Sequence, residues 1–172
     1  MPAVGLREIV TAEDRTAVMG LRRAPGQENY VSSMQESFAE ADAFPRAMPR
    51  AWAVHDAGTG TLVGFAMISD NIPQPMDDDL VGPYFLWKLL IHEPCQRRGY
   101  GTATLDAVVD YLAGRPGADV LYTSCAEGPG SPCPFYLRYG FRDTGRVMSQ
   151  ENVLALELVG ATARPTAQNV SP

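Results

Sequence analysis

The chain has 172 residues, 45% of them hydrophobic and 20% charged, and its formal net charge is −6. That size and balance fit one soluble domain with an adequate core. The acidic sign argues against a nucleic-acid surface, which needs a basic face, and is compatible with a cationic small partner.

From the start of the chain, Met1-Pro2-Ala3-Val4-Gly5 has no basic segment followed by an apolar run, so no secretory signal is expected and the cytoplasm is the expected compartment. Val4 to Val10 reads as a first strand. Thr11 is placed as a helix N-cap, with Glu13 and Asp14 in the first turn, and that helix is expected to stop near Ala24-Pro25-Gly26. A second helix is expected to start around Gln27, with Val31, Met34, Phe38 and Ala41 on one face and Glu28, Glu36 and Glu40 largely on the other. Pro45 and Pro49 mark its exit.

Ala51 to His55 and Leu62 to Ile68 flank Ala57-Gly58-Thr59-Gly60, the pattern of a hairpin. Asn71 to Gly82, with Asp77-Asp78-Asp79, is a loop. An apolar run from Tyr84 to Ile91 then reads as a strand, and Lys88 interrupts it too early for a membrane span. It turns through Gln96-Arg97-Arg98-Gly99-Tyr100-Gly101 into a helix marked by Leu105, Val108, Val109 and Leu112. Gly114 and Pro116-Gly117 end that helix, and Asp119 to Cys125 forms the next strand. After a loop over Ala126 to Pro134, Phe135 to Phe141 is a short helix closed by Gly140. Val153 to Val159 reads as the last strand, and 161–172 as a polar tail following a domain over 1–160. Mixed strands with helices between them give a single α+β domain.

Three cysteines, Cys95, Cys125 and Cys133, form no C-x-x-C pair, and the histidines are His55 and His92 alone. Neither a zinc site nor a disulfide framework is expected, and no metal is assigned. The strand–glycine turn–helix unit carries the chemistry. Free backbone N–H groups converge at such a helix start, with the helix dipole behind them, and together they hold a diphosphate. The dinucleotide fingerprint fails because Thr104 stands where its third glycine belongs, and the nucleotide P-loop fails because Thr102-Ala103 follows Gly101.

Gln96-x-x-Gly99-x-Gly101, followed some thirty-five residues later by Phe135-Tyr136-x-x-x-Gly140-Phe141, resembles the GNAT superfamily of acyl-CoA-dependent N-acyltransferases. Gln27 to Val31, Phe85 to Ile91 and Gly130-Ser131-Pro132 narrow the resemblance to bacterial spermine/spermidine N-acetyltransferases. The resemblance implies a mostly antiparallel mixed sheet flanked by helices, with the strand ending at Ile91 and the strand Val120 to Cys125 splayed around the pantetheine of acetyl-CoA. Leu89, Leu90 and Ile91 then offer backbone groups to that arm. Gln96 belongs to the same cofactor-binding set, and Arg97, Arg98, Gly99, Tyr100, Gly101 and Thr102 aim N–H groups at the pyrophosphate. Tyr136 takes the place of the general acid that protonates the departing thiolate.

The general base stays unassigned, because Tyr84-Phe85-Leu86-Trp87 lacks the strand glutamate found in some members. Glu28, Glu36 and Asp77, Asp78 and Asp79 are the candidate acidic mouth for a cationic acceptor. The expected reaction is direct acetyl transfer to a primary amine of a small molecule, a polyamine first. Amine antibiotics, protein amines and a non-catalytic acyl-CoA-binding module stay open beside it. The resemblance also leaves a homodimer open, and no patch in the sequence marks an interface.

Overall fold

The computed structural model describes residues 1–158, so the expected tail over 161–172 lies outside the described residues. In chain order the elements are β1 (Val4–Glu8), α1 (Ala12–Val18), α2 (Met34–Ala43), β2 (Pro49–Asp56), β3 (Leu62–Asp70) and β4 (Tyr84–Ile91). After them come α3 (Tyr100–Leu112), β5 (Val120–Cys125), α4 (Cys133–Tyr139), β6 (Arg142–Met148) and β7 (Glu151–Glu157). The strands form one sheet in the order β1-β2-β3-β4-β5-β7-β6. Every pairing is antiparallel except β4 with β5. This is the expected α+β fold with a mixed, mostly antiparallel sheet.

The two faces of the sheet follow from the period of two along each strand. On β3, Phe65 and Met67 join Val18, Met34 and Phe38 under α1 and α2. Ala66 and Ile68 join Leu105, Val108 and Leu112 of α3 on the other face. A strand covered on both faces reads as a continuous apolar run, as Leu62 to Ile68 does. Among the described residues, no helix is long and apolar enough to cross a membrane.

Four expectations change. The first helix ends at Val18, ahead of Gly20, and not near Ala24. The second helix begins at Met34 and not around Gln27. Before it, Gln27 Oε1 accepts from Ala24 N at 2.9 Å and Glu28 Oε2 accepts from Gly26 N at 2.9 Å, local bonds that compete with a helix. Ser33 is the true N-cap: its hydroxyl accepts from Glu36 N while the Glu36 carboxylate accepts from Ser33 N, a capping box.

Beyond Phe141, Arg142–Met148 forms an edge strand exposed at six of its seven positions, so it carries no apolar alternation to read. A turn with positive φ at Ser149 and Gln150 folds it back onto β7, which begins at Glu151. Finally, Cys125 and Cys133 form a disulfide, against the expectation from their spacing. The 126–132 loop reverses the chain and brings the last residue of β5 against the first residue of α4.

Candidate active site

Two adjacent strands part in the middle of the sheet. β4 and β5 pair only at Phe85↔Tyr122 and Leu86↔Thr123, where Thr123 Oγ1 also donates to Leu86 O at 2.9 Å. Beyond that point β5 pairs only with β7, and β4 only with β3. The cause lies in β4 itself. Met67 of β3 faces Lys88 while Ile68 faces Leu86, so Trp87 is an extra residue, a bulge. A bulge bends its strand and shifts the inside–outside alternation by one. The edge of β4 from Trp87 to Ile91 is therefore left open toward the gap. Leu89, Leu90 and Ile91 line a groove of about 570 Å³ along it, faced by Pro132 and Phe135.

At the end of β4 the glycine turn closes this groove. Gln96 Nε2 donates to Ile91 O at 2.9 Å and to Gln27 Oε1 at 3.0 Å, which fixes the turn to the strand and to the segment before α2. Arg97 and Gly99 take left-handed φ of 61° and 86°. Gly99 is the N-cap of α3, and no side chain caps that end. The first-turn N–H groups of α3 therefore have no partner within the helix, and they carry the positive end of a 13-residue dipole. A Cβ on Gly101 would stand 3.2 Å from the Phe135 ring, and one on Gly99 would stand 3.0 Å from Pro2. Bare backbone is thus required on both sides of the cradle.

Arg97, Gly99, Gly101 and Thr102 line the groove together with Gln96. Arg98 is exposed and does not line it. The Tyr100 phenol turns away and donates to Asp56 Oδ2 at 2.7 Å, a bond that raises its pKa, so what Tyr100 offers the groove is backbone. The residues present fit a pyrophosphate at the turn and an amide-bearing arm along β4.

A second chamber, of about 560 Å³, opens from the other side of the gap. Val31, Leu89, Pro132 and Tyr136 line both spaces. Tyr136 stands at this junction because α4 starts at Cys133, tied by the disulfide to β5, and the tyrosine follows one turn later. Its ring packs against Phe135 and Phe141 at centroid distances of 5.4 and 5.5 Å. Burial pushes its pKa above the ordinary phenol value, against the Thr123 hydrogen bond that lowers it, and the nearby Glu151 charge pushes the same way as burial. The group is held as a neutral O–H, able to donate a proton.

The second chamber is acidic. Glu28, Glu36, Glu40 and Glu151 line it, and Lys88 is the one cationic side chain lining it among the described residues. The Ser33 amide, then the Ser33 hydroxyl, hold the Glu36 carboxyl below its usual range. Glu151 accepts from Ser124 Oγ across the β5–β7 pair. The structure therefore brings Glu28 and Glu36 to one chamber and leaves the aspartate run apart from it. Asp77 and Asp79 both pair with Arg46, and Arg146 donates to the Asp78 carbonyl. Of these three, Asp79 lines a largely apolar cavity beside the chamber. Sequence reasoning missed Glu40, Lys88 and Glu151. Glu40 was within reach, one helical turn after Glu36. Glu151 was not, since its strand register depends on the unread β6.

Comparison with known proteins follows the same lines. A model of the acetyltransferase (GNAT) family matches residues 15–141. A spermine/spermidine N(1)-acetyltransferase of Bacillus subtilis (strain 168) is 29% identical over 150 residues, covering 87% of this chain and 95% of that protein. Among solved structures, a chimera of the spermidine N-acetyltransferase SpeG from Vibrio cholerae and hSSAT superposes with TM-score 0.61 at 15% identity, over 94% of this chain and 99% of that one. AtaTR bound with AcCoA superposes with TM-score 0.59 at 14% identity, over 91% and 94%. At these identities the two structures share the fold.

Proposed function

The chain belongs to the GNAT acetyltransferase family, and from that premise we propose that it moves an acetyl group from acetyl-CoA directly to a primary amine of a small cationic molecule, a polyamine first. The observation that carries this reading is Tyr136, a buried neutral phenol on the wall shared by an anion-cradling groove and an acidic chamber. The Bacillus subtilis relative, named for spermine and spermidine, supports the acceptor class, and the AcCoA-bound neighbour supports the donor.

When bound, acetyl-CoA supplies a thioester whose acyl carbon an amine attacks and whose sulfur leaves. The α3 amides and Arg97 hold the pyrophosphate, and the backbone of Leu89, Leu90 and Ile91 lies along the pantetheine as a neighbouring strand would. Gln96 positions that turn through Ile91 and Gln27, while Arg98 adds charge from the exposed side. In the other chamber Glu28 and Glu36 attract and orient the ammonium end of the acceptor. An ammonium must lose a proton before it can attack, and Glu151, which lines the same chamber as Tyr136, is the carboxylate assigned to take it. Tyr136 gives its proton to the sulfur side.

The test is incubation with acetyl-CoA and, in turn, putrescine and spermidine, read by free thiol and by the mass of the amine product. The expected result is amine-dependent thiol release matched by a mono-acetylated amine. Thiol release that ignores the amine, or an acetylated protein in place of an acetylated amine, would contradict the reading.

A further inference from the structure

The acceptor chamber continues into a third space. A cavity of about 320 Å³ adjoins it, and Glu40, Phe85, Trp87, Met148 and Ser149 line both. Away from the junction its walls are mostly apolar, Phe44, Ala47, Ile72, Leu80 and Val81, with Ser69 and Asp79 as the polar lining residues. An apolar pocket opening from an acidic one is a site for the carbon skeleton of a molecule whose charged end is held next door.

The bulge of β4 controls the passage. It places Trp87 and Lys88 opposite the single residue Met67, which faces α2. Trp87 thereby walls both chambers. The Lys88 ammonium is held at the junction, 2.7 Å from Glu40 Oε2 and 2.7 Å from Ser32 Oγ, with its side chain only 15% exposed. That ammonium occupies the one carboxylate common to both chambers. An acceptor threading from one to the other passes a fixed, largely desolvated positive charge. A methylene group passes at no electrostatic cost, whereas a second ammonium there meets like-charge repulsion and finds Glu40 already paired.

Resting on the amine-acetylation reading above, we propose that the apolar cavity holds the methylene segment of the acceptor and that Lys88 is the specificity-determining residue that rejects a cationic centre at the junction. The preferred acceptor is then a primary amine on an uninterrupted alkyl chain, whose second charge, where it has one, lies at the far end and clear of the junction. The bulge at Trp87 thus has two consequences, opening the gap-side edge of β4 to the donor groove and placing Lys88 at the junction of the acceptor spaces.

The decisive pair of probes is spermidine and 1,8-diaminooctane, which has CH₂ in place of the internal NH₂⁺ at the same chain length. Binding is read by calorimetry on the CoA-saturated protein. The wild type is expected to bind the diamine about tenfold more tightly than spermidine, and Lys88→Met to erase or reverse that order. In the wild type alone, affinity along butylamine, hexylamine and octylamine is expected to climb about fourfold per methylene. Spermidine binding as tightly as the diamine in the wild type, or an affinity flat along the alkyl series, would overturn the proposal. Product mass is read separately: chain-length-dependent binding without acetylated amine would support this cavity and count against the transfer reading.

Discussion

Tyr136 is chemically useful because of what surrounds it. It is 6% exposed and flanked by aromatic rings, and burial, with the nearby Glu151 charge, makes its phenol harder to ionise than a free one. The sign of that shift has a kinetic consequence. In the proposed role the acid form is the working form, and it persists through the ordinary phenol value of 10.0. The pH–rate profile of kcat is therefore expected to show no alkaline fall from this group up to about pH 10. A fall below pH 9 that disappears in Tyr136→Phe would mean that the phenol ionises early. In the proposed function Glu151 is the matching group on the acceptor side. Glu151→Gln is expected to lower kcat/KM by about 10²-fold, as loss of a general base does, with acetyl-CoA affinity unchanged in a direct titration.

Between residues and whole molecule, two elements do most of the positioning: the α3 start and the β5–α4 corner. Gly99→Val places a branched side chain on a φ of 86° and against Pro2, so it is expected to weaken CoA binding by tenfold or more in calorimetry while circular dichroism stays native. The disulfide closes the β5–α4 corner over a sequence separation of 8. A loop of that size restricts the unfolded chain by about 2.5 kcal/mol, so reduction is expected to lower unfolding stability by roughly that much in denaturant titrations. These elements also show what the sequence made legible. Gly99 and Gly101 after an apolar strand announced the turn into an uncapped helix start, the kind of backbone that can hold an anion. The parting of β4 and β5 entered as an implication of family resemblance. Its physical cause, the Trp87 bulge, leaves no mark in a run that is apolar on both faces. Lys88 and Glu151 were hidden for related reasons. A one-residue bulge decides which way Lys88 points, and the exposed strand β6, without alternation, sets where Glu151 lies. The Asp77-Asp78-Asp79 run was conspicuous by charge, yet Arg46 takes two of its carboxylates.

At the scale of the molecule, one parted sheet gives a single domain two spaces that share one phenol, and the proposed function uses them to bring donor and acceptor together. The same frame holds four tyrosines in their neutral form. Burial raises the pKa of Tyr84 and Tyr136, the Asp56 bond raises that of Tyr100, and burial with Asp70 takes Tyr111 to about 12. An unfolded chain releases these protons near pH 10, before the native chain does. The stability they contribute is therefore complete below about pH 10 and is lost as pH rises toward 12, where Tyr111 ionises in the fold. Urea midpoints from pH 8 to pH 11 are expected to hold and then fall, less steeply in Tyr111→Phe; an identical slope in that variant would contradict the assignment. All of these arrangements serve the claim that proton donation by Tyr136 joins the two chambers into one catalytic centre. The most direct measurement is amine-dependent thiol release from acetyl-CoA by the wild type and by Tyr136→Phe, with CoA affinity measured in parallel. The account expects kcat to fall by about 10²-fold in the variant while the dissociation constant for CoA moves less than twofold; an unchanged kcat would remove Tyr136 from the chemistry and contradict the account.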